Sequence, residues 1–132
     1  MSTKQVGDLG EKIAEDFLKN EDYQILEKNY CFRIPGSPQK GEIDIIVRKN
    51  GIISFVEVKA LKRKNRERVS DISPEEKVNF SKQRKLIKTA ETWLMKKKIP
   101  LNSKWQIDII SIELSRDKET KINHFKNAVP CC

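Results

Sequence analysis

The amino-acid sequence predicts an α/β fold in which a mixed β-sheet is flanked by helices, with the elements in the order α-β-β-β-α-β-β. Three observations predict it: apolar residues recur at helical spacing in two segments, an Asn-Gly pair joins two apolar runs, and strand-like runs lie on either side of the second helical segment. Strands and helices in this succession are typical of a sheet covered by helices. The 132 residues suffice for one core, so we expect a single domain over 1–132.

The first element is an amphipathic helix, which we expect over residues 7–20. Its apolar residues fall on one face at helical spacing: Ile13, Ala14, Phe17 and Leu18. Glu11 lies at the edge of this apolar stripe, where it can face either solvent or a neighbouring element. Residues 23–32, which follow the helix, are predicted to be extended.

A tight hairpin is predicted at Asn50-Gly51, because both residue types accept the positive φ that a type I′ turn requires. The flanking runs, residues 42–48 and 52–58, are almost wholly apolar. Strands of this composition are usually covered on both faces. A two-residue turn would pair Lys49 with Ile52, and the same register would place Asp44 directly across from Glu57.

The second half of the chain is predicted to contain a basic loop, a helix and two strands. We predict a mobile loop over 62–72, where no apolar period appears. The helix includes residues 82–95, and its start is left open between Pro74, which follows a capping Ser73, and the neighbourhood of Asn79. Strands are predicted at 104–114 and 122–128, and a frayed tail at 129–132.

The composition argues against several classes of protein. With three cysteines and one histidine, the chain offers neither a disulfide framework nor a zinc site. Its apolar runs are too short to cross a bilayer, and its first residues are too polar for a signal segment. We therefore expect a cytoplasmic protein that does not associate with membranes.

Positive charge is concentrated in one part of the chain. The net charge is +8, and residues 59–98 alone carry 14 Lys and Arg against 5 Asp and Glu. A local excess of this kind is typical of a surface that follows a phosphate backbone, although a solvated charged face has the same composition. No aromatic cluster interleaves with these charges, so a platform for stacking single-stranded bases is not expected. The candidate contacts to DNA are Lys62, Arg63, Lys64, Arg66, Arg68, Lys82, Arg84 and Lys85.

Asp44 and Glu57 each interrupt an apolar strand, where an unpaired carboxylate is unfavourable. Placed across a hairpin, they would repel each other unless one took up a proton or a cation lay between them. Mg²⁺, or Mn²⁺ in its place, takes oxygen ligands of this kind. Lys59 shares the face of Glu57 by strand alternation, where it could polarise water or stabilise charge on a phosphate. A salt bridge between Lys59 and Glu57, with Asp44 at a wet strand end, explains the same residues.

At these positions the chain resembles the PD-(D/E)XK nuclease superfamily, whose signature is an Asp at the end of one strand and Glu-x-Lys on the next. More narrowly, it is similar to the YraN family of predicted endonucleases, relatives of archaeal Holliday-junction resolvases. The matching segments, in chain order, are Gly7-x-x-Gly10-Glu11-x-x-Ala14, Asn29-Tyr30, Gly41-Glu42-Ile43-Asp44, Phe55-Val56-Glu57-Val58-Lys59, Lys82-Gln83, Ile107-Asp108-Ile109-Ile110 and His124-x-x-Asn127-Ala128.

The resemblance implies a restriction-endonuclease-like three-layer fold and roles for individual residues. Asp44, Glu57 and Glu11 would be metal ligands, and Lys59 the catalytic lysine. Gln83 would contact the active-site strand or the nucleic acid. The alternative for Glu11 is an exposed helix glutamate, and for Gln83 a buried structural amide.

The resemblance also implies a function, a Mg²⁺-dependent endonuclease acting on DNA, with branched or structured DNA among its substrates. The alternatives are a non-catalytic nucleic-acid-binding module on the same fold and, third, a scaffold for an acidic protein. Function depends on the site rather than on the fold, so the fold alone does not separate these readings. A two-fold homodimer is left open as the assembly.

Two positions depart from the family pattern, since Leu61 and Gln106 stand where an Arg is usual. These two differences affect what can be expected of the substrate, but every expected metal ligand is present. Asp108 is interpreted as a structural hydrogen-bond acceptor at the sheet edge. His124 is interpreted as a packed or surface histidine, because the implied chemistry uses a lysine and a metal rather than an imidazole.

Overall fold

The computed structural model describes residues 2–33, 36, 38, 40–63, 79–115 and 119–130. The order of elements is the predicted α-β-β-β-α-β-β. These elements are α1 (Thr3–Asn20), β1 (Gln24–Arg33), β2 (Lys40–Lys49), β3 (Ile52–Arg63), α2 (Phe80–Lys96), β4 (Trp105–Ser115) and β5 (Thr120–Phe125).

The strands form one mixed five-stranded sheet in the order β1-β2-β3-β4-β5. β3 and β4 run parallel, and the other neighbouring pairs are antiparallel. Parallel neighbours need a crossover connection, and α2 lies in the connection between β3 and β4. The predicted mixed sheet is therefore confirmed, and β3 is its central strand.

The two helices pack on opposite faces of the sheet, which gives the expected three layers. On one face, Leu86 and Trp93 of α2 pack into a core that includes Phe55. On the other face, Leu18 of α1 packs into a core that includes Val56. Phe55 and Val56 are adjacent in β3 and point to opposite sides, so both faces of the predicted hairpin are covered. Among the helices of the described chain, none is both long and apolar enough to span a bilayer.

The hairpin has the predicted turn and register. Asn50 and Gly51 have φ values of 53° and 76°, the positive values that this type of turn demands. Lys49 pairs with Ile52, and the register holds as far as the pair Ile45–Val56. The ladder ends there, one step before Asp44 and Glu57, so these two residues lie where the strands separate rather than as a regular opposed pair.

Both helix starts are explained by capping side chains. Ser2 and Gln5 form a capping box, which begins α1 at Thr3 rather than at residue 7. The Asn79 side chain accepts a hydrogen bond from the Lys82 backbone N–H at 2.8 Å, so α2 begins at Phe80. The alternative start at residues 73–76 lies outside the described residues.

Two expectations about boundaries are wrong where the structure describes them. Lys62 and Arg63, assigned to a mobile loop over 62–72, belong to β3, where they pair with β4; residues 64–72 lie outside the described part of the chain. Val129, assigned to a frayed tail over 129–132, is only 1% exposed and packs into the core beneath α2. Its burial follows from the hydrogen bond of the Ala128 N–H to the Ile107 carbonyl at 2.8 Å, which holds the chain against β4 after β5 ends. Residues 131–132 are outside the described residues.

Candidate active site

Helix α1 comes very close to β3 at Gly10. A Cβ added to Gly10 would lie 2.5 Å from the Cβ of Ala60, so a larger side chain would push the helix away. The next residue, Glu11, consequently reaches Asp44, with which it lines two small cavities. The sequence placed Glu11 at the edge of the apolar stripe, and the structure shows it directed at an acidic neighbour.

Helix α2 approaches β2 from the opposite face of the sheet at Gly41. An added Cβ at this position would overlap the hydroxyl of Thr89, which itself donates a hydrogen bond to the Lys85 carbonyl at 2.6 Å. Glycine is therefore required for the close approach. As a result, the first turns of α2 stand beside the stretch of β2 that carries Asp44.

Asp44 lies at the point where β2 separates from β3. Its Oδ2 accepts a hydrogen bond from the Val58 backbone N–H at 2.8 Å, which supplies an acceptor for that N–H beyond the last regular ladder pair. Ile43 and Ile45 pack into opposite cores although they are two residues apart, so the alternation of faces breaks at Asp44. The carboxylate is held in place by the backbone of the strand that also carries Glu57.

Glu57 is buried, with 7% of its surface exposed, and it contacts two lysines. Its Oε1 lies 3.0 Å from Lys82 Nζ and 3.7 Å from Lys59 Nζ. Lys59 comes from the same face of β3, as alternation predicts, whereas Lys82 comes from the first turn of α2. One carboxylate oxygen therefore joins the central strand to the start of a helix.

The pKa values of the acidic residues at this site are raised. Burial raises the pKa of Asp44 to about 6, with the Glu11 carboxylate adding to the shift and the hydrogen bond from Val58 opposing it. Burial and then the charge of Asp44 raise the pKa of Glu57, while Lys82 and Lys59 oppose the rise. These directions show that negative charge is crowded at this point of the fold.

The pKa values of Lys59 and Lys82 are shifted in opposite directions. Burial lowers the pKa of Lys59, and its contact with Lys82 acts in the same direction. Burial also acts to lower the pKa of Lys82, but the hydrogen bond with Lys59 and the attraction of Glu57 outweigh it, so the pKa of Lys82 is raised. Lys82 therefore carries the firmer positive charge of the two.

Asp44, Glu57 and Lys82 open onto a cavity of about 480 Å³, here called the Asp44–Glu57 cleft. Among the predicted site residues, Asp44, Glu57, Lys82 and Lys85 line it. The remaining lining residues are Lys40, Gly41, Glu42, Asn79, Ser81 and Leu86. The cleft lies between β2, β3 and the first turns of α2, so it is open to a ligand approaching from that side.

The other predicted contacts are distributed around this cleft or lie outside the described residues. Gln83 is half-buried in the first turn of α2, next to Lys82, and Lys62 is exposed on β3. Arg84 is exposed, with its guanidinium 5.2 Å from the centre of the Phe80 ring. Arg63 lies at the end of β3. Lys64, Arg66 and Arg68 fall outside the described residues.

Some features of the cleft were missed from the sequence. Lys82 was expected to contact phosphate, but no pattern indicated its ion pair with Glu57, because the two residues lie on elements that meet only in the tertiary structure. Glu42 and Lys40 form an ion pair of 3.0 Å beside the cleft, and their spacing on an extended strand was the only available signal. The aromatic residue Phe80 is 72% exposed at the start of α2, and its exposure was not predicted from the sequence.

Asp108 anchors a buried polar cluster on the α1 face of the sheet. It accepts hydrogen bonds from the Gln106 amide and the Asn127 N–H, each at 2.9 Å, and its Oδ2 lies 2.8 Å from His124 Nε2. The expected structural role is supported, but its expected place at the sheet edge is wrong, because β4 lies between β3 and β5. His124 is packed against the Phe17 ring, as a packed histidine should be. Gln106, which departs from the family pattern, is thus a partner of Asp108.

A hard divalent cation needs several oxygen donors gathered at one point. The described residues contain no group of three or more His, Cys, Asp and Glu side chains already gathered as a metal site. Asp44 does have two acidic neighbours, Glu11 and Glu57, each close enough to perturb a pKa. A set made only of carboxylates that repel one another fits a hard cation such as Mg²⁺. At Glu57, the ammonium group of Lys82 occupies the position of a counter-ion.

The fold is a mixed sheet between two helices. An Asp lies where the second strand separates from the third, and the third strand carries Glu-x-Lys. Together these features define a PD-(D/E)XK-like, nuclease-related class of protein. The family model described as "Uncharacterised protein family UPF0102" matches residues 10–112. The chain therefore belongs to the UPF0102 (YraN) family, as its motifs indicated. The matched region includes Glu11, Asp44, Glu57, Lys59, Lys82 and Gln83.

Curated relatives match over nearly the full chain. The UPF0102 protein of Clostridium beijerinckii is 37% identical over 126 residues, which cover 95% of this chain and 93% of the relative. A UPF0102 protein of Clostridioides difficile is 38% identical over 128 residues, with 97% and 99% covered. That of Clostridium tetani is 43% identical over 98 residues, covering 73% and 70%.

Proposed function

We propose that this protein is a divalent-metal-dependent endonuclease that hydrolyses phosphodiester bonds in DNA, including branched DNA. The observation that carries the proposal is the crowding of two carboxylates, Asp44 and Glu57, beside one cleft. Two lysines, Lys59 and Lys82, contact Glu57 there. Acidic groups with raised pKa values beside a specific charged partner in a cleft are typical of functional sites. Membership of a nuclease-related family supports the same conclusion.

The proposed cofactor is Mg²⁺, or Mn²⁺ in its place, and Asp44, Glu57 and Glu11 would hold it. When bound, such a cation stabilises the negative charge that develops on the scissile phosphate. Its binding would also relieve the repulsion that raises the pKa values of Asp44 and Glu57. The three acids come from α1, β2 and β3, so the folded sheet and helix are both needed to form the site.

Lys59 is the proposed catalytic lysine. Its ammonium group lies 3.7 Å from Glu57 Oε1, a distance that leaves its donors available for a water molecule or a phosphate oxygen. Burial lowers the pKa of Lys59, which makes its ammonium group a readier proton donor than an exposed lysine. Strand β3 fixes its backbone two residues from Glu57, so the amine lies beside a carboxylate that lines the cleft.

Lys85 and Lys82 line the cleft from α2, and the exposed Lys62 extends the positive surface along β3. Contacts of lysine and arginine with phosphates give affinity that does not depend on sequence and that falls with salt. Gln83, next to Lys82, is proposed to hydrogen-bond the nucleic acid. These residues would position the DNA backbone over Asp44 and Glu57.

One observation favours the alternative, a nucleic-acid-binding module without catalysis. Glu57 is already neutralised by two ammonium groups, at 3.0 and 3.7 Å. These partners oppose the rise in the pKa of Glu57, so part of the cost of its burial is offset without a metal. A protein of this kind would bind DNA and leave it intact whatever metal is present.

Cleavage assays separate the two functions. The purified protein would be incubated with linear, nicked and four-way DNA in Mg²⁺, Mn²⁺ or EDTA. We expect metal-dependent cleavage that falls by about 100-fold or more in Asp44→Asn and Glu57→Gln. Glu42→Gln is the matched control, because Glu42 lines the same cleft and is paired with Lys40 at 3.0 Å; it should stay within about threefold of the wild type. DNA binding without cleavage in any metal would support the binding module instead.

A further inference from the structure

The Glu57 carboxylate has two competing partners, the Lys82 ammonium group in this structure and the metal ion of the proposed function. Lys82 Nζ lies 3.0 Å from Glu57 Oε1, and this oxygen belongs to a side chain that the proposed function assigns to a metal ion. The Lys82 side chain is 42% exposed, whereas that of Glu57 is 9% exposed. A half-exposed cation therefore pairs with a buried anion.

We propose that Lys82 is a displaceable counter-ion: it neutralises Glu57 while the metal site is empty, and the arriving metal ion releases it into the cleft to bind a phosphate of the substrate. The inference rests on the proposed function, since it needs a divalent cation at the carboxylates. It adds a link between metal binding and substrate binding that the proposed function does not contain. Loading of the metal makes available a phosphate-binding lysine that is otherwise engaged.

The charges of the cluster favour such an exchange. Glu57 faces the ammonium groups of Lys59 and Lys82, and its neighbour Asp44 is flanked by a third carboxylate, that of Glu11. A divalent cation bound by these carboxylates would repel an ammonium group that lies about 3 Å from one of its ligands. This repulsion would favour movement of one lysine away from Glu57.

The structure indicates which lysine moves. Lys59 is anchored on the central strand β3, and its side chain is 29% exposed. Lys82 is attached to the first turn of α2 and lines the cleft, where a long and flexible side chain can turn without moving the backbone. Lys59 would therefore stay beside the reacting groups, and Lys82 would leave.

The cleft offers a destination for the released ammonium group. Its wall on α2 is polar and includes Asn79, Ser81 and Lys85. A substrate phosphate held there would gain a second lysine beside Lys85, and its charge would replace Glu57 as the partner of Lys82. The same side chain would thus serve the empty protein and the substrate complex in turn.

Metal affinity tests this exchange without any measurement of cleavage. Mn²⁺ would be titrated calorimetrically into the full-length protein, with Asp44→Asn identifying the heat that belongs to the site. Lys82→Met removes the competing cation, so we expect Mn²⁺ to bind at least about threefold more tightly. Lys82→Arg keeps the competitor and should bind within about twofold of the wild type. Lys85→Met removes a lysine of the same helix and cleft without touching the Glu57 pair, and it too should stay within about twofold.

A second readout follows the released lysine itself. Acylation of lysine amines, quantified by mass spectrometry, should speed up at Lys82 by about threefold or more when Mg²⁺ is added, and change little at Lys85. Unaltered or weaker Mn²⁺ binding in Lys82→Met, or unaltered labelling of Lys82, would overturn the inference and leave the metal site standing. A wild-type protein with no Asp44-dependent Mn²⁺ binding would overturn the proposed function and this inference together.

Discussion

Lys82 Nζ lies 3.0 Å from Glu57 Oε1, which joins the first turn of α2 to the central strand of the sheet. The same oxygen is 3.7 Å from Lys59 Nζ, so a helix lysine and a strand lysine share one carboxylate. Burial excludes water from Glu57 and strengthens both attractions. The stability of the fold, and the proposed binding of metal and substrate, can therefore be tested by changing these few charges one at a time.

The first prediction concerns stability without metal. Burial raises the pKa of Asp44 from an ordinary 3.8 to about 6, so between these values the folded state binds more protons than the unfolded state. The stability contribution of Asp44 therefore falls as the pH rises from about 4 to about 6 and is constant above that range. Asp44→Asn removes the charge and keeps an oxygen acceptor for the Val58 N–H. We expect it to raise the free energy of unfolding by about 1–3 kcal/mol at pH 8 in EDTA.

Urea denaturation at pH 8 and at pH 4 measures this effect. The gain from Asp44→Asn should largely disappear at pH 4, where the Asp44 carboxyl is protonated in the folded wild type and partly protonated in the unfolded chain. Glu42→Gln, a change at an exposed carboxylate of the same strand, should give little change at either pH. A less stable Asp44→Asn variant at pH 8 would show that the carboxylate is stabilised, not strained, in the metal-free fold.

The second prediction concerns the contact between α1 and β3. Gly10→Ala would place a Cβ 2.5 Å from the Cβ of Ala60, which forces the helix outward and moves Glu11 away from Asp44. We expect a loss of about 1–3 kcal/mol in the free energy of unfolding, together with weaker Mn²⁺ binding. Gly7→Ala is the matched control, because its added Cβ meets nothing within 4 Å; better helix propensity should stabilise that variant by about 0.5–1 kcal/mol. Equal effects of the two substitutions would contradict the close packing.

The third prediction concerns the buried cluster at Asp108. Asp108→Ala would leave the Asn127 N–H and the Gln106 amide without their acceptor. We expect a loss of about 3 kcal/mol or more in the free energy of unfolding, measured in urea. Lys121→Ala, at an exposed position of β5, should change stability by no more than about 0.5 kcal/mol. If Asp108→Ala abolished cleavage while leaving stability unchanged, Asp108 would belong to the reacting groups instead.

The fourth prediction concerns DNA affinity. Neutralising Lys85 should weaken binding similarly for all DNA sequences and lower the slope of log affinity against log salt by about one unit. Lys121→Ala, on β5 and away from the cleft, removes the same charge and should leave the slope unchanged. Fluorescence anisotropy over a range of salt concentrations in EDTA measures both. An equal change for both variants would mean that DNA is attracted by net charge and not by the cleft.

The basic segment from Lys62 to Arg68 allows a separate test of DNA binding. Joint replacement of Lys62, Arg63, Lys64, Arg66 and Arg68 by glutamine should reduce salt-dependent DNA binding further than the Lys85 variant does. The same anisotropy measurement applies. Unchanged binding would remove this segment from the interface and leave only the residues of α2.

The elements of this fold could be predicted because each depends on neighbours in the sequence. Asn50-Gly51 specifies its turn through the residue types that accept a positive φ, and the register from Lys49–Ile52 to Ile45–Val56 follows from that turn. The position of Lys59 beside Glu57 follows from strand alternation alone. The apolar stripes of both helices likewise report which side faces the sheet.

Relations between distant segments could not be predicted in this way. Periodicity shows that a face is buried but not what covers it, so the sequence did not indicate that Gly10 meets Ala60 or that Val129 packs beneath α2. It placed Asp44 opposite Glu57 in a regular ladder, whereas the strands separate there and Asp44 accepts a hydrogen bond from Val58.

The sequence by itself determined the order of helices and strands, the hairpin and the identity of the acidic and basic groups, because turn chemistry and periodicity act over a few residues. Only the tertiary structure decided that Glu11, Asp44 and Glu57 gather from three elements and that Lys82 pairs with Glu57. Such contacts arise when glycines at positions 10 and 41 let both helices approach the sheet. The distances between charges depend on that packing, which no local pattern encodes.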